Sequence, residues 1–468
     1  MKKLKGSTIK LFMILLIAIS VPISTYLLSQ KTTFINRAYT RIFGTSAAFT
    51  INLTKAQPKP NYSWNNFAQG GEEKGGMLGK VVSKVAVLEP AYIRIDHIYD
   101  FYDVVGRDGL GNLTYDWSNL DSEINAIQAT GARPFLSLSY MPGAISSGSE
   151  VDVPVEWAQW KEVVKSTVEH VSGIESLAIE NVYYEVWNEP DIFGKFKLTG
   201  SKNYLNLYYY AERGVNEAKN VLPFKFGGPA TTGLYKSWFT NLLSFVRENN
   251  LRIDYYSWHR YSKDVGDYEK DYMNAAKWLQ DYPEYKDIEL IISESGHNTE
   301  NDRSYDEQFS AIHTISTYLT TFNKISKVFT FELKDGPGDK KYWGRWGMLT
   351  HESFGEPEEK PRYKAIAFLN QMKGSWYPVF GNGTWVKALV TTNGDIIRTL
   401  IVNYDPFGKH YENVPINYVN LPSQDFIFRR IDFLGNTYEF NVELEEVNWK
   451  TVQLMKPNTA AILEIIPR

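Results

Sequence analysis

The feature that most constrains the fold is a regular alternation running from residue 62 to about residue 372. Short apolar or β-branched runs alternate with longer segments of helical periodicity. The runs fall at residues 65–69, 91–96, 134–139, 182–187, 225–229, 253–259, 288–293 and 327–332. Between them lie segments such as 155–171, where Trp157, Trp160, Val164, Val168 and Val171 recur every three or four residues, as one buried helix face requires. In 305–322, Phe309, Ile312, Ile315, Leu319 and Phe322 do the same. Strands alternating with helices imply parallel β/α units, and eight such units predict a (β/α)8 TIM barrel. The rival arrangement, an open doubly wound sheet, loses ground because no glycine-rich dinucleotide fingerprint follows the first strand.

After residue 372 the texture changes. Alternating runs at 385–390, 396–404, 426–433, 438–442 and 460–466 are separated by turn pairs such as Asn393-Gly394 and Gly435-Asn436. This predicts a C-terminal antiparallel β-sandwich domain over residues 373–468, packed on a catalytic barrel over 62–372. At the other end, Lys2, Lys3, Lys5 and Lys10 precede an apolar run from Leu11 to Leu28. That order predicts an N-terminal membrane-anchor helix over residues 1–30, with everything downstream outside the cytoplasm. If the segment is cleaved instead, the protein is secreted. Residues 31–61 read as a polar stalk, with one strand at 47–53.

The net charge of -4 gives no reason to expect nucleic acid as a partner, and the membrane enters only through the N-terminal helix. The chain has no cysteine, which excludes disulfides, thiolate nucleophiles and Cys-based metal sites. Aromatics make up 15% of the residues, with 13 Trp and 31 Tyr, enough for sugar-stacking surfaces as well as for a large core.

Two carboxylates stand where a barrel places its chemistry, at the C-terminal ends of strands. Trp187-Asn188-Glu189-Pro190-Asp191 ends the fourth run, and Pro190 stops the ladder there. Ile292-Ser293-Glu294-Ser295-Gly296 ends the seventh, and its small residues leave room for a ligand. Strands four and seven face each other across a small barrel, so the pair can converge on one sugar ring. A glycosidase needs two such groups, one protonated and one charged. The charged partner needs donors nearby. Arg94 on the second strand and Tyr261 just past the sixth are candidates, although Arg94 could instead pair with Asp96 or Glu185. His259 and His97 are candidate substrate contacts. Trp258, Tyr140, Trp343 and Trp346 are candidate stacking surfaces. A metal set of His97, His259 and Glu294 is set aside for want of helical ligand spacing, and no cofactor or metal is expected.

These motifs resemble the clan A glycoside hydrolases, and family 39 most closely, the group of β-xylosidases and α-L-iduronidases. The resemblance runs from Trp64 to about Tyr363. Asn188-Glu189-Pro190 is similar to the clan's acid/base step, in which the Asn contacts the substrate's 2-hydroxyl. Ser293-Glu294-Ser295-Gly296 looks like its nucleophile strand. His259-Arg260-Tyr261 resembles the strand whose Tyr bonds the nucleophile, and Arg94 matches the clan's second-strand Arg. The chain departs from the pattern in its eighth strand, where Phe329-Thr330-Phe331-Glu332 lacks the clan's Trp; Trp343 or Trp346 in the next loop is expected to supply that wall. The resemblance implies a retaining O-glycoside hydrolase acting on a carbohydrate substrate, with Glu189 as acid/base and Glu294 as nucleophile. The alternatives are an inactive carbohydrate-binding protein on the same barrel, or a transglycosylase using the same carboxylates.

Overall fold

The computed structural model describes residues 44–60, 62–71 and 73–468. The expected anchor over residues 1–30 lies outside them. No described helix is long and apolar enough to cross a membrane.

All eight expected runs are strands: β1 (Asn66–Gln69), β2 (Tyr92–Ile95), β3 (Arg133–Leu138), β4 (Val182–Val186), β5 (Phe224–Thr231), β6 (Tyr255–Tyr261), β7 (Glu289–Gly296) and β8 (Lys327–Phe331). They pair in parallel and close into a barrel in the order β7-β8-β1-β2-β3-β4-β5-β6. The two helical segments singled out above appear as Trp157–Val171 and Gln308–Thr321, the second preceded by a 3-10 turn at Arg303–Asp306.

The two-residue period of a strand decides which side chains reach the lumen. On β6, Tyr256 and Trp258 join the core between barrel and helices, while Tyr255 and Tyr261 join the cluster inside the barrel. On β4, Val182, Tyr184 and Val186 face the helices and Tyr183 faces the lumen. Phe135, Tyr183, Tyr255, Ile291 and Phe329 fill the interior, so the barrel is a packed core open only at its strand ends.

The C-terminal region forms two sheets. A six-stranded antiparallel sheet runs Ser375–Tyr377, Val386–Asn393, Ile396–Asn403, Thr459–Pro467, Asp425–Asp432, Thr437–Glu443. It shares a core with a four-stranded sheet ordered Val379–Phe380, Phe49–Asn52, Glu412–Val419, Trp449–Met455. Ile397, Ile401 and Leu463 face that core, while Leu400, Val402 and Ile462 belong to the main barrel cluster. Burial on both faces explains why these central strands read as nearly continuous apolar runs.

The stalk expectation for residues 31–61 gives way where the chain is described. Phe49–Asn52 is built into the four-stranded sheet, with Phe49 beside Ile416 in parallel and Thr50 beside Phe380 antiparallel. Ala47, Phe49 and Ile51 lie in the sheet core. The strand expected at 47–53 is present, but its partners lie more than 300 residues away, so the sequence around it reads as a stalk rather than as part of the C-terminal sheet. Replacing Ile51, which is fully buried, by Ala is expected to cost about 2–5 kcal/mol. The shift of the denaturation midpoint checks this; a solvated stalk would move by at most about 0.5 kcal/mol.

Candidate active site

Glu294 reaches the lumen because β7 carries a bulge. Leu290 and Ile292 face the helices and Ile291 faces the lumen, so strict alternation would turn Glu294 outward. The register against β6 instead slips: Ile292 pairs with Trp258, and Glu294 pairs with His259. Ser293 is the extra residue, and from Glu294 onward the strand presents the opposite parity. A second bulge lies on β5, between Pro229 and Thr231. It puts Ala230 at φ 54°, and its carbonyl accepts the Glu189 N–H at 3.0 Å. The chain around the acid is held in the left-handed region, with Trp187 at φ 74° and Glu189 at φ 45°. Non-glycine residues adopt it at a cost that the surrounding contacts must offset. Here the Trp187 indole N–H donates to the Phe193 carbonyl at 3.0 Å, and the ring is fully buried.

Arg94, fully buried on β2, joins the parts together. Its Nε donates to Glu185 at 2.7 Å, its Nη1 to Glu294 Oε1 at 2.8 Å, and its Nη2 to Asn188 Oδ1 at 2.7 Å. With its oxygen so engaged, Asn188 turns its amide N–H to the Tyr140 hydroxyl at 2.8 Å. The other Glu294 oxygen accepts from the Tyr261 hydroxyl at 2.8 Å. His259 stands between the acids, its Nδ1 2.9 Å from Glu189 Oε1 and 3.4 Å from Glu294 Oε2. One oxygen of each carboxylate and one nitrogen of His259 lie within 4.8 Å of one another.

Burial pushes the Glu294 carboxyl up; His259 and Arg94 oppose that shift and Glu189 adds to it. Burial alone would lower His259, but the negative field of Glu294 and Glu189 overrides it and raises the imidazole. The Tyr261 hydroxyl is pushed far up by burial and by Glu294, so it stays a proton donor. Glu189 is less enclosed than Glu294 and lies toward solvent. The arrangement therefore offers one deeply held carboxylate, bonded by Arg94 and Tyr261, and one less enclosed carboxyl against His259.

The remaining candidates separate. Trp258 is fully buried on the helix side of β6 and donates to Asp271 at 2.9 Å, so it cannot stack on a sugar; its parity is opposite to that of His259. Tyr140 is buried and serves Asn188 rather than offering a ring face. His97 bonds Asp100 at 2.8 Å, stacks on Phe101 at 4.0 Å and packs edge-on against Tyr140 at 4.4 Å. That places it at the rim beside the site, apart from the Glu189–His259–Glu294 group. Trp346 packs against Phe331 at 5.5 Å and joins the lumen cluster beside Tyr261, which is where a wall after β8 is needed. Trp343 lies over Gly338, close to the Arg345 guanidinium that also covers Trp346.

The sequence offered Glu185 only as a rival partner for Arg94; in the fold it is a second acid on the same guanidinium, beside Glu294. It stands two residues after Tyr183, which faces the lumen, and that period was the available signal. Glu332, directly after β8, is fully buried, and its carboxyl is pushed far up by burial and by Asp335. Gln69 donates to it at 3.0 Å. A polar residue ending both β1 and β8 was the only hint.

Comparison with known proteins bears on the family and the fold. Residues 81–377 match the model of glycosyl hydrolases family 39. A β-xylosidase of Caldicellulosiruptor saccharolyticus is 26% identical over 395 residues, covering 78% of this chain and 77% of that protein. Among solved structures, a GH39 enzyme from Xanthomonas axonopodis pv. citri superposes with a TM-score of 0.73 at 18% identity, covering 91% of this chain and 98% of that one. A monomeric β-xylosidase from Caulobacter crescentus gives 0.72 at 17%, covering 90% and 100%. The family model spans well over half of the sequence, and this chain belongs to the glycosyl hydrolases of family 39.

Proposed function

We propose that the chain is a retaining O-glycoside hydrolase working by double displacement, with Glu294 as nucleophile and Glu189 as acid/base. The observation that supports this most strongly is that one oxygen of Glu189 and one of Glu294 lie within 4.8 Å of each other, with His259 between them. A retaining enzyme needs its carboxyls about 5 Å apart, whereas an inverting enzyme needs roughly 6.5–9.5 Å to hold a water between acid and base. In the first step Glu294 attacks the anomeric carbon while Glu189 protonates the departing oxygen. In the second, Glu189 takes a proton from water, and the hydroxide oxygen replaces Glu294.

His259 fits this change of role. When Glu189 is ionised, the imidazole N–H donates to it; when Glu189 carries the proton, an imidazole nitrogen can accept. Arg94 and Tyr261 hold Glu294 charged and aimed, and Asn188, fixed by Arg94 and Tyr140, is placed to meet the sugar hydroxyl next to the anomeric carbon. Both carboxylates stand in working geometry, which argues against an inactive binding protein. The named relatives make a β-linked xylose the first glycone to test. The Lys-flanked apolar run near the N-terminus supports an anchored enzyme whose barrel acts outside the cytoplasm on oligo- or polysaccharide.

Glu189→Gln is expected to lower kcat/KM on alkyl or sugar leaving groups by about 100- to 10,000-fold. The loss should be much smaller on a 2,4-dinitrophenyl glycoside, whose departing phenolate needs no proton. Glu294→Gln is expected to be nearly inactive on both. Steady-state kinetics of the two variants decide the matter, and full activity in either would contradict the assignment.

Tyr261→Phe removes a donor to the charged form of Glu294 and so raises its pKa further. The nucleophile must be ionised, so activity is lost as pH falls through that pKa. The acid limb of the kcat/KM profile is therefore expected to move to higher pH by about one unit. An acid limb that stays in place would show that this hydrogen bond does not tune the nucleophile.

A further inference from the structure

The segment after Glu189 has no part in the chemistry above, yet it carries unusual surface. Ile192 is 49% exposed and Phe193 43% exposed. Both backbone N–H groups return to the Glu189 carbonyl, at 3.0 and 2.8 Å, so one tight turn hangs these side chains directly beside the acid. The Phe193 ring stands edge-on to Tyr140 at 5.8 Å, and Tyr140 bonds Asn188. Across the turn, Tyr235 is 44% exposed, and its hydroxyl lies 2.8 Å from the Thr232 hydroxyl. Thr232 in turn donates its backbone N–H to Asp191 at 3.0 Å, and its hydroxyl also bonds that carboxylate. Three large apolar groups thus stand exposed on the two linked loops that flank the acid.

Resting on Glu189 being the acid, we infer that Ile192, Phe193 and Tyr235 form a platform for the leaving group, and that it selects an aromatic aglycone over a second sugar. Position and chemistry carry this. The acid gives its proton to the oxygen that joins glycone and aglycone, so whatever departs lies on its side of the cleft. A sugar bound there needs polar partners for its hydroxyls. The polar groups beside these three side chains are already engaged: Asp191 with Thr232, Thr232 with Tyr235, and the Trp187 indole with the Phe193 carbonyl. Ile192, Phe193 and Tyr235 expose ring and alkyl surface, which suits a flat apolar group; the exposed cation of the segment, Lys195, follows two residues after Phe193. An aryl ring laid on Phe193 gains burial and an aromatic pair; a methyl aglycone gains almost neither.

The test is binding, so that it does not depend on proton transfer. Inhibition constants are measured on the full chain for three non-hydrolysable thioglycosides of the glycone that the wild type cleaves best: phenyl, methyl and a sulfur-linked disaccharide. The wild type is expected to bind the phenyl compound about tenfold more tightly than either of the others. Phe193→Ala should bring the phenyl-to-methyl ratio close to one, and Phe193→Tyr should restore it. General damage to the site would weaken all three compounds together and leave the ratio intact. Equal binding of phenyl and methyl by the wild type would overturn the proposal. So would a phenyl preference untouched by Phe193→Ala, or a disaccharide analogue that binds as tightly as the phenyl compound. The acid assignment stands or falls separately, on the Glu189→Gln kinetics: a phenyl preference that responds to Phe193, with Glu189→Gln fully active, keeps the platform and rejects the acid.

Discussion

One buried guanidinium holds this site together. Arg94 gives up all contact with water and recovers it through three charged or polar partners from two other strands: Glu185 and Asn188 at the end of β4, and Glu294 on β7. A buried cation of this kind is tolerated only when its donors are satisfied. That requirement fixes the distance between strands that are remote in sequence. It also explains why two acids can share the lumen: Glu185 and Glu294 each face the same positive charge. The planar fork matters as much as the charge, since an ammonium group could not meet three acceptors in these directions.

The chemistry follows from how differently the two ends of the network are enclosed. Glu294 is bonded on both oxygens and held in an aimed position; the charges of Arg94 and His259 favour its anion against the burial that opposes it. Glu189, on a turn held in the left-handed region by the Ala230 carbonyl, is nearer solvent and touches His259. Two acids held differently, close enough to act on a single anomeric centre, are what a two-step displacement requires. The bulges on β5 and β7 produce this. Each inserts one residue into a barrel strand, one re-aiming a side chain and the other a carbonyl.

Much of this was legible in the sequence, because hydrophobic periodicity and the ends of apolar runs report the strands of a barrel directly. All eight strands and the pairing of Glu189 with Glu294 come from that source. Details that depend on parity or on distant partners did not. Ser293 looks like any strand residue, and only the register against β6 reveals that it is extra. Trp258 sits in the same motif as His259 and Tyr261, yet one step of alternation sends it to the helix layer. Phe49–Asn52 reads as a strand, but its place in the C-terminal sheet does not show, because its partners, Phe380 and Ile416, are far along the chain. Glu332 was invisible as a functional candidate because its environment is made by Gln69 and Asp335, which converge only once the barrel closes.

The central claim is that Glu294 bonds covalently to the sugar. Incubating the protein with a 2-fluoro glycoside bearing a good leaving group, then mapping the adduct by peptide mass spectrometry, tests it most directly. The account predicts one fluorosugar per chain, located on the peptide that contains Glu294 and released when an acceptor is supplied. A label on a different carboxylate, or rapid turnover of glycosides with inverted product and no adduct at all, would contradict it.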